Sequence, residues 1–521
     1  MLHTIRTSLV KGHKHCLQCL RSASTLGAQD KPDNVRHFSD NTQTRSDMAP
    51  SRTGSELAEA RGNQHPGVIE PLSVKGGTQS SYMGSRRGIM SSSANSFKNI
   101  ELQPIPVPEY TEDRDLDLDS DVDTFPCQNS NKTSGPEPEY DNIVSGFKTF
   151  HYDQPFALKY RKGVLPDLHL AYETWGELNE AKDNAVLIFT GLSASSHAKS
   201  HEENERPGWW EKFVGPGCAI NTDQFFAICV NNLGGCYGSS GPSSINPSTG
   251  KAYGTKFPIL SVEDIVRSQF LLLDHLGIDT LYASVGSSLG GMSSLCSGVL
   301  FPDRVGKVIC VSSCARSHPT SIAMRYLQRK AIMMDPDWQK GHFYTTGRYP
   351  KSGMKLAREL ATLTYRSGPE WEERFGRKRI SEDSEPSLCP HFMIENYLDY
   401  QGEMASTKLD PNTLIYISKA MDMFDLGETF GNLHSALGRV KSPTMVIGVQ
   451  TDILFPVWQQ RELANVLQEA GNNAVTYYEL NSIYGHDTFL LDLSGVGAGI
   501  KGFLETQLTE TGRTRQRKDK N

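Results

Sequence analysis

The sequence has no long apolar run. Nothing in its 521 residues approaches the roughly 20 consecutive apolar residues that a membrane helix needs, so a soluble protein with no membrane partner is expected. A basic excess is also missing. The 53 Lys and Arg stand against 60 Asp and Glu, a net charge of -7, which gives nucleic acid no electrostatic footprint. Cysteine is sparse. The ten, at 16, 19, 127, 218, 229, 236, 296, 310, 314 and 389, are scattered, and several fall inside apolar runs. That favours free buried thiols in a reducing compartment over a disulfide framework. Cys16 and Cys19 have no second pair at zinc-finger spacing, so no metal is expected there. Hydrophobic content is only 37%, and the deficit sits in roughly the first 140 residues.

Residues 1–29 lack Asp and Glu but hold Arg6, Lys11, Lys14 and Arg21, with Ile5, Leu9, Leu17 and Leu20 on a loose apolar face. This is the composition of a mitochondrial transit peptide, and a matrix location is expected. Residues 30–145 are polar and Pro-rich and read as a disordered linker. The alternating aspartates from Asp115 to Asp123 do not make a calcium loop. Counted from Asp117, the required Gly and Glu positions hold Val122 and Gln128, so a solvated linker is the better reading.

From 146 onward the pattern changes. Leu168, Leu170 and Tyr172 alternate with His169, Ala171 and Glu173 as in a strand. Ala185–Phe189 and Phe225–Val230 are continuous apolar runs, as in strands buried on two faces. Ser261 and Asp264 form a capping box ahead of Val262, Ile265, Val266, Leu273 and Leu276, and Gly277 stops that helix. A strand over Leu281–Val285, a helix, and a strand over Val308–Val311 follow. Strand and helix in alternation predict an α/β fold, a mostly parallel sheet with helices on both faces. The core spans 146–314. The rhythm then breaks into helices over 315–433, such as Ser352–Leu363 and Thr413–Phe424, which read as a helical lid. The core resumes over 434–505, with strands at Met445–Val449 and Val475–Leu480 and helices over Trp458–Glu469 and Val496–Leu504. A basic tail, 506–521, ends the chain.

Gly286-Ser287-Ser288-Leu289-Gly290 lies between the strand-like Leu281–Val285 and a small-residue helical run. Gly-x-Ser-x-Gly is common by chance in a chain with 46 glycines. Placed between a strand and a helix, however, it is a nucleophile elbow, with Ser288 held at a sharp turn beside a helix N-terminus. A serine hydroxyl needs a base, and the base needs an orienting carboxylate. On this fold the acid follows a late strand and the histidine follows the last. Asp452 and His486 fall in those places. Either alone would pass as a helix cap or a loop histidine; together with the elbow they make a triad, and an α/β-hydrolase fold. The oxyanion hole should use the N–H of Leu289 and a second N–H near Phe189 or Thr190.

A triad does not name the acyl acceptor. The chain resembles the homoserine/serine O-acyltransferases of the α/β-hydrolase superfamily across about residues 146–505. The motifs that carry this are Thr190–Ser193, Gly208-Trp209-Trp210, Gly215-Pro216-Gly217, Asn232–Cys236, Gly241–Pro247, Ser288–Met292, Ala357-Arg358, Thr364–Ser367, Phe375–Arg377, Asp452–Pro456 and Gly485–Leu490. The stretch 403–410 departs from the aromatic-and-arginine pattern usual before Asp410. The resemblance implies a ping-pong reaction. Ser288 takes an acyl group from acyl-CoA, and an amino-acid hydroxyl collects it with His486 as base. It implies that Arg358 holds the substrate carboxylate and Asp487 its ammonium. Gly191, Leu192, Ser193 and Ala194 line the expected acceptor pocket and look closest to fungal mitochondrial serine O-acetyltransferases. The expectation is therefore acetyl-CoA as co-substrate, no permanently bound cofactor, no metal, L-serine as acceptor in cysteine biosynthesis, and a homodimer through the lid. The alternatives are homoserine as acceptor (methionine biosynthesis), succinyl as donor, an esterase in which water replaces the amino acid, and a binding protein that keeps only the fold.

Overall fold

In the computed structural model, residues 145–506 are described, except 161, 162, 384, 387 and 389. The chain divides into two units, Met1–Glu109 and Tyr110–Asn521, and every described residue belongs to the second. The transit-like segment, nearly all of the linker and the basic tail beyond 506 lie outside the described residues.

Eight strands form one sheet: β1 (Lys148–Tyr152), β2 (Leu168–Trp175), β3 (Ala185–Phe189), β4 (Phe226–Val230), β5 (Ala283–Ser287), β6 (Val308–Val311), β7 (Thr444–Val449) and β8 (Val475–Leu480). Their spatial order is β1-β2-β4-β3-β5-β6-β7-β8. β2 runs antiparallel to β1 and β4, and the six strands from β4 to β8 are mutually parallel. The side-chain period of two splits the core. In β3, Ala185, Leu187 and Phe189 face a cluster with Val262, Ile265, Leu295 and Leu463. Val186 and Ile188 face the opposite one, with Trp210, Phe213, Ile500 and Leu504. Helices cover both faces, as the continuous apolar runs predict.

The helices are α1 (Val262–His275), α2 (Leu289–Leu300), α3 (Pro319–Met334), α4 (Lys351–Tyr365), α5 (Gly368–Arg374), α6 (Met393–Ala405), α7 (Pro411–Asp422), α8 (Leu426–Phe430), α9 (Leu433–Leu437), α10 (Val457–Glu469), α11 (Thr488–Leu491) and α12 (Ala498–Glu505). The capping box of α1 is present: Ser261 Oγ accepts from Asp264 N at 3.1 Å, and Ser261 N donates to Asp264 Oδ2 at 2.9 Å. Gly277 follows at φ 68°, a conformation glycine adopts without strain. Helices α3 to α9 fill the interval between β6 and β7 and have their own core of Ile332, Phe343, Tyr349, Met354 and Leu414. In it, Arg325 and Arg329 of α3 both reach the carboxylate of Asp422 at the end of α7, all three side chains being nearly fully buried.

Three differences from the sequence reading have physical causes. β1 has no sequence signal because it is an edge strand in which only Phe150 is buried. The elbow strand lies two residues later than expected, at Ala283–Ser287, and Leu281 makes only an isolated bridge to Val305. Gly286 and Ser287 belong to the ladder because an elbow joins strand to helix with no loop between. The last helix starts at Ala498, after a wide turn over Leu493–Gly497 that Asp492 caps through Gly495 N. The six cysteines described are free thiols, and all but Cys218 are buried.

Candidate active site

The parallel register brings three loops to one edge of the sheet. Ser287 pairs with Val311, Val311 with Ile447, and Ile447 with Tyr478. Ser288, Asp452 and His486 therefore all emerge past the carboxyl ends of β5, β7 and β8, where open α/β sheets place their ligands.

Ser288 has φ 58° and ψ −123°, between β5 and α2. Its backbone is clamped: Ser288 N donates to Val311 O at 3.0 Å, and Ser288 O accepts from Ser313 Oγ at 2.7 Å. The glycines are required by crowding. A Cβ on Gly286 would lie 2.1 Å from Gly290 O, and one on Gly290 would lie 2.2 Å from Phe189 O. Leu289 is the first residue of α2, and the first N–H groups of a helix have no partner within it.

His486 Nδ1 lies 2.7 Å from Asp452 Oδ2, both residues being buried. The other carboxylate oxygen, Oδ1, accepts from Leu454 N at 2.9 Å and Phe455 N at 2.8 Å, so Asp452 is fixed by its own turn. The imidazole stacks on Phe455, with ring centroids 5.1 Å apart, and meets Phe489 edge-on at 5.4 Å. Its Nε2 is buried and has no hydrogen-bond partner among the described residues. A neutral imidazole held by Asp452 through Nδ1–H presents that nitrogen as a lone pair, the arrangement a general base needs.

Phe189, read with Leu289 as a backbone donor of the oxyanion hole, is a ladder residue paired with Gly286 on one side and Val230 on the other. The first residue past the ladder, Thr190, lies against the elbow, a Cβ on Gly290 falling 3.3 Å from Thr190 O, and Gly191 and Leu192 continue the turn. Gly191 has open space where a Cβ would be, and its carbonyl accepts from Asn232 Nδ2 at 3.2 Å. Leu192 is half-buried against the core, Ser193 is exposed and Ala194 is half-buried.

Arg358 is half-buried on α4, and its Nε is buried without an acceptor among the described residues. Thr362 and Tyr365 follow it on the same helix face, with Thr362 Oγ1 and Tyr365 Oη 2.9 Å apart. The end of α4 abuts the histidine turn: a Cβ on Gly485 would lie 3.0 Å from Arg366 C. Asp487 is therefore close to Arg366, with Oδ2 3.3 Å from Nη2. Burial pushes the Asp487 carboxyl up to about 6, against the pull of Arg366 and His486. Arg366 was not singled out from sequence as a site residue. It also pairs with Glu370 at 2.7 Å and, like Arg358, holds its Nε buried without an acceptor. Its signal was the Thr364–Ser367 motif, whose position against His486 only the fold reveals. Asp410 caps α7 through Thr413 N, and burial raises it to about 6. A cleft of about 430 Å³, lined by Asp167, His169, Ser240 and Tyr253 among others, lies on the β2 side and contains no member of the triad.

The α/β hydrolase fold family model matches residues 184–493. A serine O-succinyltransferase of Emericella nidulans is 51% identical over 435 residues, covering 71% of this chain and 83% of that protein. The chain belongs to the homoserine/serine O-acyltransferase family of the α/β-hydrolase superfamily. Among solved structures, homoserine O-acetyltransferase from Bacillus anthracis is similar at 27% identity and a TM-score of 0.65, over 70% of this chain and all of that one. Esterase E22 is similar at 29% identity and a TM-score of 0.64, over 69% of this chain and all of that one. The protein is thus an acyltransferase on an α/β-hydrolase scaffold. In this acyltransferase the Gly208-Trp209-Trp210 motif is a brace rather than a lining. Trp210 is buried, and its Nε1 donates at 3.0 Å to the carbonyl of Phe489, the residue whose ring meets His486.

Proposed function

We propose that the protein transfers a succinyl group from succinyl-CoA to the hydroxyl of L-serine, by a ping-pong route through an ester on Ser288. The observation that carries acyl transfer is the buried Asp452–His486 pair with a free Nε2, at the same sheet edge as a strained serine. His486 takes the Ser288 proton as Oγ attacks the thioester carbonyl. Leu289 N–H and one N–H of the Gly191–Leu192 turn hold the oxyanion, and the CoA thiol leaves with the proton. The amino-acid hydroxyl then repeats the sequence on the acyl-enzyme, with His486 again as base. No permanently bound cofactor enters the route.

Arg366 pairs with Asp487, Arg358 stands eight residues before it on α4, and each has a buried Nε without an acceptor among the described residues. A buried unpaired donor is costly unless a ligand supplies the acceptor. The second half-reaction brings two carboxylates together, that of serine and the distal one of a succinyl ester. Arg358 is assigned the amino-acid carboxylate and Asp487 the ammonium, which leaves Arg366 to favour a dicarboxylic acyl group. An acetyl group, expected from sequence, has no second carboxylate; the Emericella nidulans relative named serine O-succinyltransferase also favours succinyl. Gly191–Ala194 would set the acceptor length. Residues 1–29 would direct the protein to the mitochondrial matrix, and the lid would join two copies.

The test gives the full chain succinyl-CoA or acetyl-CoA with serine, homoserine or no acceptor, and follows free CoA. Serine-dependent release with succinyl-CoA is expected. Preference for homoserine, or for acetyl-CoA, moves the assignment within the family. Equal release without acceptor makes the protein a hydrolase, the reading that the likeness to esterase E22 keeps in view.

A further inference from the structure

Beneath the loop that leaves β3 lies a buried ionic cluster that the triad does not use. Glu173 of β2 is 2% exposed and His197 is 7% exposed. The Glu173 carboxylate receives three donors: Ser196 Oγ at 2.6 Å on Oε1, and His197 Nδ1 at 2.8 Å and His201 Nε2 at 2.7 Å on Oε2. The other His197 nitrogen, Nε2, lies 2.7 Å from the carbonyl oxygen of Arg206. A carbonyl can only accept, and a carboxylate surrounded by three donors has no use for a proton of its own. Both nitrogens of His197 therefore carry protons, and the ring is an imidazolium paired with Glu173. Burial works against that charge, while Glu173, the Arg206 carbonyl and Glu211 favour it, and the balance raises His197 above its ordinary value.

The three side chains also bring their donor atoms within 4.8 Å of one another, as metal ligands do. The backbone argues for hydrogen bonds instead. Glu203 N donates to His201 Nδ1 at 3.3 Å, so the His201 proton sits on Nε2, and neither histidine turns a lone pair toward Glu173.

What the pair anchors is the chain on either side of it. His197 N donates to Ser195 Oγ at 3.2 Å. Trp209 N donates to His197 O at 3.1 Å, Trp210 N to Ala198 O at 2.9 Å, and Trp209 Nε1 to Ser195 O at 3.0 Å. Gly208 sits so close that a Cβ would lie 2.2 Å from Ala198 C. In one direction this bracket fixes the far end of the short loop whose near end, Thr190, meets the elbow: a Cβ on Gly290 would lie 3.3 Å from Thr190 O. In the other it reaches, through Trp210 Nε1, the carbonyl of Phe489 and the ring against His486.

We propose that the buried Glu173–His197 ion pair is a positioning device for acyl transfer, holding the 190–196 loop over Ser288 and, through Trp210 and Phe489, steadying His486. This rests on the reading of Ser288 as nucleophile and of the loop as an oxyanion donor. It does not depend on which acyl group or acceptor is used.

The test compares the full chain with Glu173→Gln and His197→Gln. Reactive serine is counted with a fluorophosphonate, so that kcat is expressed per reactive site. Both CoA release and para-nitrophenyl acetate hydrolysis are followed. Per-site kcat is expected to fall about 10–100-fold on both substrates, with KM changed less than about twofold, because a misplaced donor acts on the transition state. The groups facing His197 are Glu173, His201 and Glu211 with its partner Lys199, and Cys229 stands opposite Glu173 in the β2–β4 ladder. Removing the Glu173 charge leaves His197 easier to deprotonate, so the alkaline limb of kcat in Glu173→Gln should move down by about one unit. Wild-type per-site kcat in the variants, whatever their Tm, overturns the proposal, as does an unmoved alkaline limb. Should both variants lack reactive sites, Ser196→Ala removes one donor to Glu173 without touching either charge. A roughly threefold loss per site supports the role, and no loss overturns it. A per-site fall on the ester, in a protein whose wild type ignores acyl-CoA, supports the device and counts against the proposed function alone.

Discussion

Ser288 occupies a backbone region that side chains other than glycine rarely adopt, and the clamp from Val311 O and Ser313 Oγ keeps it there. Such a residue stores about 1–3 kcal/mol of strain. Ser288→Gly should therefore abolish CoA release and raise stability by about 1 kcal/mol, after the extra chain entropy of glycine is offset. Thermal unfolding beside the activity assay checks both; a lower Tm would mean that the serine is not strained. Asp487 makes the same kind of sacrifice in charge. Its folded-state value of about 6 lies above its ordinary 3.8, chiefly through burial. A carboxyl raised in this way contributes stability that is full below about 3.9 and is lost as pH rises through about 6. At pH near 7.5, Asp487→Asn is thus expected to raise stability, by at most about 3 kcal/mol and by less because Arg366 loses a partner. The proposed role for Asp487 at the acceptor ammonium needs the charged form, so on that role the acceptor KM of the wild type should climb about tenfold per unit below pH 6, while Asp487→Asn starts high and stays flat. A variant with ordinary KM would remove Asp487 from the ammonium site.

At the scale of elements, the sequence resolved what has a period and missed what depends on neighbours. The doubly buried β3, β4 and β6, the capped α1 and the order of elbow, acid and histidine all follow from local patterns, and the structure brings Asp452 and His486 to 2.7 Å. Arg366 and the Glu173–His197 pair leave no local pattern. Each matters through a partner far along the chain: Asp487 for the first, and a loop ending in a tryptophan brace for the second. β1 escaped because an exposed edge strand with one inward residue has almost no periodicity. The lid shows the same limit. Helical spacing marks α4 and α7, but not what locks α3 to α7, which is Arg325 and Arg329 converging on Asp422. Removing the shared carboxylate leaves two buried guanidinium groups without their counter-charge. Asp422→Ala should cost about 3–5 kcal/mol, and amide exchange in α3 and α7 should rise before that in the sheet. Uniform loss of protection across lid and sheet would show that the two unfold as one.

For the whole molecule, the unexplained feature is the outside of the lid. On α3, Leu327 and Met334 are 52% and 71% exposed; on α4, Leu356 and Leu363 are 49% and 51% exposed; on α6, Tyr400 and Met404 are 58% and 49% exposed. In α3 and α4 the exposed pair is seven residues apart, in α6 four, so each lies on one helix face. The three helices are neighbours, α3 packing along α4 and α4 along α6. Scattered exposed apolar residues need no explanation, but repeated stripes on adjoining helices are the kind of surface a partner would cover. The partner that fits the sequence-based expectation is a second copy, joined lid to lid by the same face on both sides. A dimer of this kind would give the lid a stability it does not take from the sheet. It would also place the interface on α4, the helix that carries Arg358 and ends at Arg366. Leu327→Glu combined with Leu356→Glu should convert a dimer to a monomer in light scattering at micromolar concentration. Because α4 loses its outer support, the acceptor KM should rise several-fold while the fluorophosphonate still labels Ser288 in full, the sheet and its elbow being untouched. A wild-type protein that is already monomeric would refute the dimer. A monomeric variant with an unchanged KM would show that the interface and the acceptor site are independent.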